Sequence, residues 1–181
     1  EGERPALIYE PARAKVLKAY HELLEKRPAK AADYFALGYL YTDMSFKARA
    51  IDFYKKAVQL NPGFVDAWYN LANLYDETGD PKAAFELYEK VIRLQPRYSL
   101  AYLNIGILKG RQGDKAQAKA FFEKAAQTDP QNANAYFNLG FLAEAEGNLA
   151  VAAEHYQRAV LANPKHVEGY YNLGNTLARQ G

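Results

Sequence analysis

Hydrophobic residues recur along the chain at helical spacing, in segments that short polar turns separate. The stretch from Val65 to Pro96 shows this pattern most clearly. Its first half places Trp68, Leu71, Ala72 and Tyr75 at i, i+3, i+4 and i+7. This spacing puts the four side chains on one face of an α-helix, which we name helix A.

The second half of the same stretch predicts a second helix, helix B, after a polar turn. Pro81 stands at a position where the first turn of a helix accepts proline. Ala84, Tyr88 and Val91 then fall at i, i+4 and i+7, and Pro96 ends the segment. The small residue of each helix leaves room for its partner, and the aromatic ring beside it fills the remaining space. The stretch therefore predicts a closely packed helix pair.

The same pattern returns every 34 residues along the chain. The first aromatic column of helix A contains Tyr34, Trp68, Tyr102, Tyr136 and Tyr170. The small-residue column of helix A contains Gly38, Ala72, Gly106, Gly140 and Gly174. Helix B repeats the small residues Ala50, Ala84, Ala118 and Ala152 and the rings Tyr54, Tyr88, Phe122 and Tyr156. A fixed period of this size indicates a solenoid of stacked repeats.

These columns, with the Gly-Asp turn between the helices and the closing proline, resemble the tetratricopeptide repeat family. The resemblance implies an all-α fold, a right-handed α-solenoid or superhelix of antiparallel helix pairs. Two departures concern local packing. Lys109 and Ala143 replace the second aromatic residue of helix A, and Met44-Ser45-Phe46 replaces the Gly-Asp turn in the first full repeat.

We expect residues 1–181 to form a single solenoid domain. Its predicted parts are a lead-in at 1–11, a helix-B-like half repeat at 12–28, full repeats at 31–64, 65–98, 99–132 and 133–166, and a helix-A half repeat at 167–181. Tyr170, Leu173 and Leu177 have no helix B to cover them. We therefore expect the natural chain to continue beyond Gly181, and the exposed C-terminal helix to favour self-association.

Composition narrows the classes of partner and of chemistry. The net charge of +2 is too small, and the basic residues too scattered, for nucleic-acid binding by phosphate neutralisation. No apolar stretch is long enough to insert into a membrane, and the absence of cysteine excludes disulfides and thiolate metal sites. His21, His155 and His166 lack metal-ligand spacing and are expected at the surface. We find no catalytic motif and expect no cofactor, no metal and no enzyme activity.

The candidate binding site lies one step round helix A from the packing stripe. The resemblance implies that successive A helices line the concave face of the solenoid, so these side chains would project into a groove. We expect at least half of them to be accessible, although packing between neighbouring A helices is an alternative. The predicted peptide-binding residues are Phe35, Tyr39, Tyr69, Asn70, Asn73, Leu103, Asn104, Ile107, Phe137, Asn138, Phe141, Tyr171 and Asn172.

Four of these residues form a ladder of amides at the repeat period: Asn70, Asn104, Asn138 and Asn172. An asparagine side chain offers a donor and an acceptor, so a ladder of them can bind the backbone of an extended peptide. The arrangement is similar to the asparagine ladder of the O-GlcNAc transferase superhelix. In the alternative interpretation, the amides bond to neighbouring helices. The Lys and Arg residues with which chaperone-adaptor members of the family hold a carboxylate are absent at the corresponding positions.

The sequence thus predicts a non-catalytic scaffold that binds a peptide segment of a partner protein along the A-helix groove. Two alternatives stay open. The repeats are the substrate-recruiting arm of a larger enzyme such as a glycosyltransferase, or they form a self-assembling oligomerisation module.

Overall fold

The structure, a computed structural model, describes residues 10–181, and this range contains ten α-helices and no strand. The predicted all-α class is confirmed. In chain order the helices are α1 (Glu10–Lys26), α2 (Ala31–Asp43), α3 (Lys47–Leu60), α4 (Val65–Glu77), α5 (Pro81–Leu94), α6 (Ser99–Arg111), α7 (Lys115–Thr128), α8 (Ala133–Ala145), α9 (Leu149–Ala162) and α10 (Val167–Gln180). Most of the predicted lead-in, residues 1–9, lies outside the described range.

The helices keep the register that the sequence predicts. The A helices α2, α4, α6, α8 and α10 begin 34 residues apart, at Ala31, Val65, Ser99, Ala133 and Val167. Three residues separate each of the B helices α3, α5, α7 and α9 from the end of the preceding A helix. The chain contacts cluster into two compact units, one extending to Leu87 and the other running from Tyr88 to Gly181. The organisation as a single continuous domain stays a prediction.

Within each unit, helix A packs on helix B through a close contact between a glycine and an aromatic ring. A Cβ atom on the glycine would meet the ring at 2.5–2.8 Å, far inside van der Waals contact. The pairs are Gly38 with Tyr54, Gly106 with Phe122, and Gly140 with Tyr156. Because the ring lies directly against the backbone of helix A, a side chain at the glycine would force the helices apart. Gly174 of α10 differs, since no atom lies within 4 Å of its Cβ position.

Left-handed backbone closes the turns between the helices of each pair. Gly79, Gly113 and Gly147 have φ angles of 86°, 83° and 80°. In the first pair, Ser45 occupies the same place in the turn with a φ of 64°. The departure at Met44-Ser45-Phe46 thus changes the residue type and keeps the turn conformation, at the steric cost that a non-glycine residue carries there.

A buried chain of hydrogen bonds joins three helices of the second unit. The Asn132 amide donates to Ser99 Oγ at 2.7 Å, and Ser99 Oγ donates to the carbonyl of Ala125 at 2.9 Å. Asn132 Oδ1 also accepts from the Ala135 N–H at 3.1 Å and so caps α8. Ser99 begins α6 and Ala125 lies in α7, so one side chain fixes the start of α8 against the preceding pair.

The contact between glycine and ring predicts opposite effects for one substitution at two places. Gly106→Ala should lower the free energy of unfolding by about 1 kcal/mol net, because overpacking against Phe122 exceeds the gain in helix propensity. Gly174→Ala should raise it by up to about 1 kcal/mol, because its Cβ meets nothing and alanine favours the helix. Urea unfolding of both variants measures the difference. Equal effects would show that no steric limit exists at Gly106.

Candidate functional site

The predicted site residues lie on the A helices of both units, and their accessibility differs widely. Tyr39, Phe141 and Tyr171 are more than half exposed. Leu103 is buried. The remaining members are half-buried: Phe35, Tyr69, Asn70, Asn73, Asn104, Ile107, Phe137, Asn138 and Asn172. Three aromatic members of the predicted site are therefore exposed, one on α2 in the first unit and one each on α8 and α10 in the second unit.

Several of the apolar members belong to the core. Leu103 is part of the buried cluster around Phe122, and Ile107 packs against the same cluster. The expectation of an accessible side chain is therefore wrong for Leu103, which fills the space between helices. Phe137 lies over Tyr156 and His166, with ring centroids at 5.6 and 5.0 Å. These ring contacts hold Phe137 inside the fold, and other side chains of α8 face the solvent.

Phe35 has the corresponding position in the first unit. Its ring centroid lies 5.6 Å from that of Tyr54 and 4.8 Å from that of Phe64. An apolar cavity of about 430 Å³ opens beside it, between α1 and α2. Val16, Tyr20, Phe35, Ala36, Tyr39 and Leu40 line this cavity. Sequence reasoning missed the contribution of α1, although the apolar residues at Val16 and Tyr20 stand in core columns of helix B.

The amide ladder makes hydrogen bonds inside the fold. Asn104 Nδ2 donates to the hydroxyl of Tyr88, 16 residues earlier, at 3.1 Å. The Tyr88 phenol is buried, so the Asn104 amide satisfies a polar group that folding has removed from water. This is the alternative in which the amides bond to neighbouring helices.

The Asn138 amide makes a different hydrogen bond from that of Asn104. The residue 16 positions before it is Phe122, which has no hydroxyl. The Asn138 amide donates instead to the carbonyl of Asn134 in its own helix, at 2.7 Å. The Asn104 and Asn138 amides are thus both bonded within the fold.

A polar network joins α8, α9 and α10, the first and last of which carry the exposed site residues Phe141 and Tyr171. The buried Tyr156 hydroxyl donates to Glu144 Oε2 at 2.9 Å. Glu144 also forms an ion pair with Arg179 of α10. Burial raises the pKa of the Tyr156 phenol, and the bond to the Glu144 carboxylate raises it further. The phenol therefore stays neutral and acts as a hydrogen-bond donor. The network stabilises α8 and α10, the helices that carry Phe141 and Tyr171.

The histidines differ from the expectation of surface positions in one clear case. His166 is buried, and its Nδ1 accepts the Gly169 N–H at 3.0 Å, which caps α10. Its Nε2 lies 3.1 Å from Asn134 Oδ1 of α8, so the ring links two successive A helices. The sequence did not indicate this capping role, because histidine is not among the usual capping residues. His155 is half-buried, and burial lowers its pKa.

Two other kinds of feature are absent from the described part of the chain. Residues 10–181 contain no group of three or more His, Cys, Asp or Glu side chains placed to hold a metal ion. In the same range, no helix combines the length and the apolar character that a membrane span needs.

The bonds of the amides predict a coupling that can be measured. Asn104→Ala should lower the free energy of unfolding by about 1–2 kcal/mol, because the buried Tyr88 hydroxyl loses its donor. In a double-mutant cycle, Asn104→Ala and Tyr88→Phe should show a coupling of about 0.5–1.5 kcal/mol. Asn138→Ala is the matched control and should cost less, since no phenol depends on it. A coupling of zero would contradict the structural role of Asn104.

Sequence profiles of the tetratricopeptide repeat match residues 34–64, 65–98, 103–163 and 142–181. Together they extend over most of the chain and over all four helix pairs. No curated protein matches the sequence at a significant level.

Solved structures with the same fold are numerous. The crystal structure of MamA is 22% identical, with a TM-score of 0.75 over 93% of this chain and 99% of MamA. A structure of the APC/C hetero-tetramer Cut9–Hcn1 contains a chain that is 22% identical, with a TM-score of 0.77 over 93% of this chain and 34% of that one. YrrB, described as a TPR protein with an unusual peptide-binding site, is 23% identical, with a TM-score of 0.68 over 90% of this chain and 84% of YrrB. At this identity the likeness shows the fold.

Proposed function

The chain belongs to the tetratricopeptide repeat family, and we propose that it is a non-catalytic scaffold that binds a peptide segment of a partner protein. The proposed site is the A-helix face of the second unit, with Phe141 and Tyr171 as its apolar anchors.

The observation that carries this proposal is the exposure of these two aromatic side chains on a face whose other apolar residues are packed. Phe141 and Tyr171 are more than half exposed, whereas Leu103 is buried and Phe137 is half-buried on the same face. An exposed aromatic ring gains free energy when a partner covers it, and such rings dominate the binding energy of many interfaces. The bonds among Tyr156, Glu144 and Arg179 hold the supporting helices, so binding requires little ordering of the site.

The hydrogen bonds that the amides make within the protein change the kind of ligand that we expect. The Asn104 side chain is bonded to the buried Tyr88 phenol and the Asn138 side chain to a carbonyl of its own helix, so a continuous ladder of free amides is not available to a peptide backbone. Recognition then rests on apolar side chains of the ligand that cover Phe141 and Tyr171. We therefore favour a short amphipathic segment that presents its own apolar side chains, over a segment held through its backbone.

The relatives support a protein as the partner class. YrrB is described as having a peptide-binding site, and Cut9–Hcn1 is a hetero-tetramer. The chain shows no motif for nucleophilic or phosphate-transfer chemistry, so the proposal assigns no reaction to it. Its small net charge of +2 likewise gives no basis for a nucleic-acid partner.

A peptide selected from a displayed library against the wild-type chain provides the ligand for a direct test. The double substitution of Phe141→Asp with Tyr171→Asp should weaken its affinity by at least about 30-fold, because two apolar anchors worth about 2 kcal/mol or more are lost. Fluorescence anisotropy measures the affinity, and circular dichroism checks that helicity is unchanged.

Leu161→Asp is the matched control for this experiment. Leu161 is an exposed apolar residue of α9, a B helix, so the substitution adds the same charge away from the proposed face. It should leave the affinity unchanged. Full affinity in the double variant, or loss of affinity in Leu161→Asp alone, would place the site elsewhere.

A second candidate function, self-association, is favoured by a separate observation. Tyr170 and Leu177 occupy columns of helix A that face a helix B in the full repeats, and in α10 both are more than half exposed.

A further inference from the structure

A second cavity of the first unit lies among α1, α2 and α3, and both aromatic and charged side chains line it. Its volume is about 310 Å³, which is at the lower end of the range for ligand pockets and suits one or two side chains of a ligand. We name it the α3 pocket, because most of its lining residues belong to α3. The lining residues are His21 of α1, Tyr41 of α2, and Arg49, Asp52, Phe53 and Lys56 of α3.

Two stacked rings form the apolar part of the α3 pocket. The rings of Tyr41 and Phe53 have their centroids 5.2 Å apart and an angle of 5° between their planes. Tyr41 is buried in the core cluster of the first unit, and the half-buried Phe53 packs against that cluster. The His21 ring lies beside them, with its centroid 6.3 Å from that of Phe53. The core therefore holds the stacked rings in place before a ligand binds.

Two exposed cations lie over these rings. The Arg49 guanidinium is 5.6 Å from the centroid of the Tyr41 ring, and Lys56 Nζ is 5.3 Å from that of the Phe53 ring. Arg49 also donates to the Tyr41 hydroxyl at 3.4 Å. Within residues 10–181, neither Arg49 nor Lys56 takes part in an ion pair. The rings position both charges, and an anion can still approach them from solvent.

The packing of the repeat does not require the arginine of this pocket. At steps of 34 residues from Arg49, the other B helices carry the uncharged residues Ala83, Gln117 and Val151. The column of Lys56 differs, since it stays basic with Lys90, Lys124 and Arg158. Because the helix pairs form without a guanidinium in the first of these columns, Arg49 is free to serve a ligand.

The charges of the lining select the type of anion. Arg49 and Lys56 contribute two positive charges and Asp52 one negative charge, which leaves +1 with His21 neutral. A carboxylate carries a single negative charge, whereas a phosphate monoester carries about −1.5 to −2 at pH 7 and would be repelled more strongly by Asp52. A guanidinium also matches a carboxylate through two parallel hydrogen bonds. The lining therefore favours a carboxylate.

The rest of α3 also favours an acidic ligand. The charged residues of α3 are Lys47, Arg49, Asp52, Lys55 and Lys56, so four are basic and one is acidic. Lys47 is paired with Glu77 of α4 at 3.0 Å. The remaining three cations exceed the one carboxylate, and a positive surface of this kind attracts an acidic segment before contact is made.

We propose that the α3 pocket binds an acidic side chain of a partner protein, with its carboxylate between Arg49 and Lys56. An adjacent apolar side chain of the partner packs on the ring of Phe53. His21 donates a ring N–H to the carboxylate, and Asp52 accepts a backbone N–H of the partner. This site is separate from the one at Phe141 and Tyr171, and neither inference rests on the other.

A blocked peptide with the sequence Gly-Glu-Phe-Gly is the probe, and NMR of the isotope-labelled protein at low salt measures its binding. The backbone amide signals of α3 should shift along a saturable curve. The same peptide with glutamine in place of glutamate should bind at least about tenfold more weakly, because a charge-assisted hydrogen bond is lost. Added sodium chloride should weaken the binding of the glutamate peptide alone, since salt screens the exposed charges.

Substitutions at exposed positions separate the charges of the pocket from its packing. Arg49→Gln and Lys56→Gln should each weaken the binding of the glutamate peptide at least about threefold. Asp52→Asn should strengthen it about twofold, because the repulsive charge is removed. Lys124→Gln is the matched control, since Lys124 is an exposed residue of α7 in the column of Lys56 and lies outside the pocket. It should leave the affinity unchanged, and thermal unfolding checks that every variant is folded.

Four results would overturn the inference. Absence of a saturable shift in α3 would exclude an acidic ligand at this pocket. Equal affinities of the glutamate and glutamine peptides would show a purely apolar site. Full affinity in both Arg49→Gln and Lys56→Gln would place the carboxylate elsewhere. Displacement of the peptide by inorganic phosphate at a lower concentration than by sodium acetate would show that the pocket prefers a phosphate to a carboxylate.

Discussion

The contact between a glycine of helix A and an aromatic ring of helix B is the constraint on which the other features depend. It brings the two helices so close that a Cβ atom would meet the ring at 2.5–2.8 Å. These rings are buried between the two helices, so the abundance of tyrosine in the chain does not by itself indicate a ligand-binding surface.

Burying tyrosine in this position creates a second requirement, since its hydroxyl must find a partner. Asn104 of the next helix A donates to the Tyr88 hydroxyl, and Glu144 accepts from the Tyr156 hydroxyl. The polar side chains that form these bonds therefore stabilise the buried rings. What remains for a ligand is apolar, namely Phe141 and Tyr171 in the second unit, and this shifts the proposed recognition from backbone bonding to side-chain packing.

The sequence predicted the helix pairs well because every column of the repeat carries its own steric reason. It predicted the site less well. Leu103 stands in the same column as the exposed Tyr171, and the period alone cannot tell that Leu103 packs into a core cluster, since burial depends on the neighbouring helices. His166 was expected at the surface, and its capping role depends on the buried position of its Nδ1 beside Gly169.

A double-mutant cycle between Gly106→Ala and Phe122→Leu tests the central claim most directly. Phe122→Leu alone removes part of a buried ring, and Gly106→Ala alone overpacks the helix crossing. If the contact of ring and backbone limits the approach of the helices, the smaller side chain makes room for the new methyl group. The double variant should then be more stable to urea than the sum of the single effects, by about 1 kcal/mol or more. Additive effects would contradict the account, because they would show that the two positions do not constrain one another.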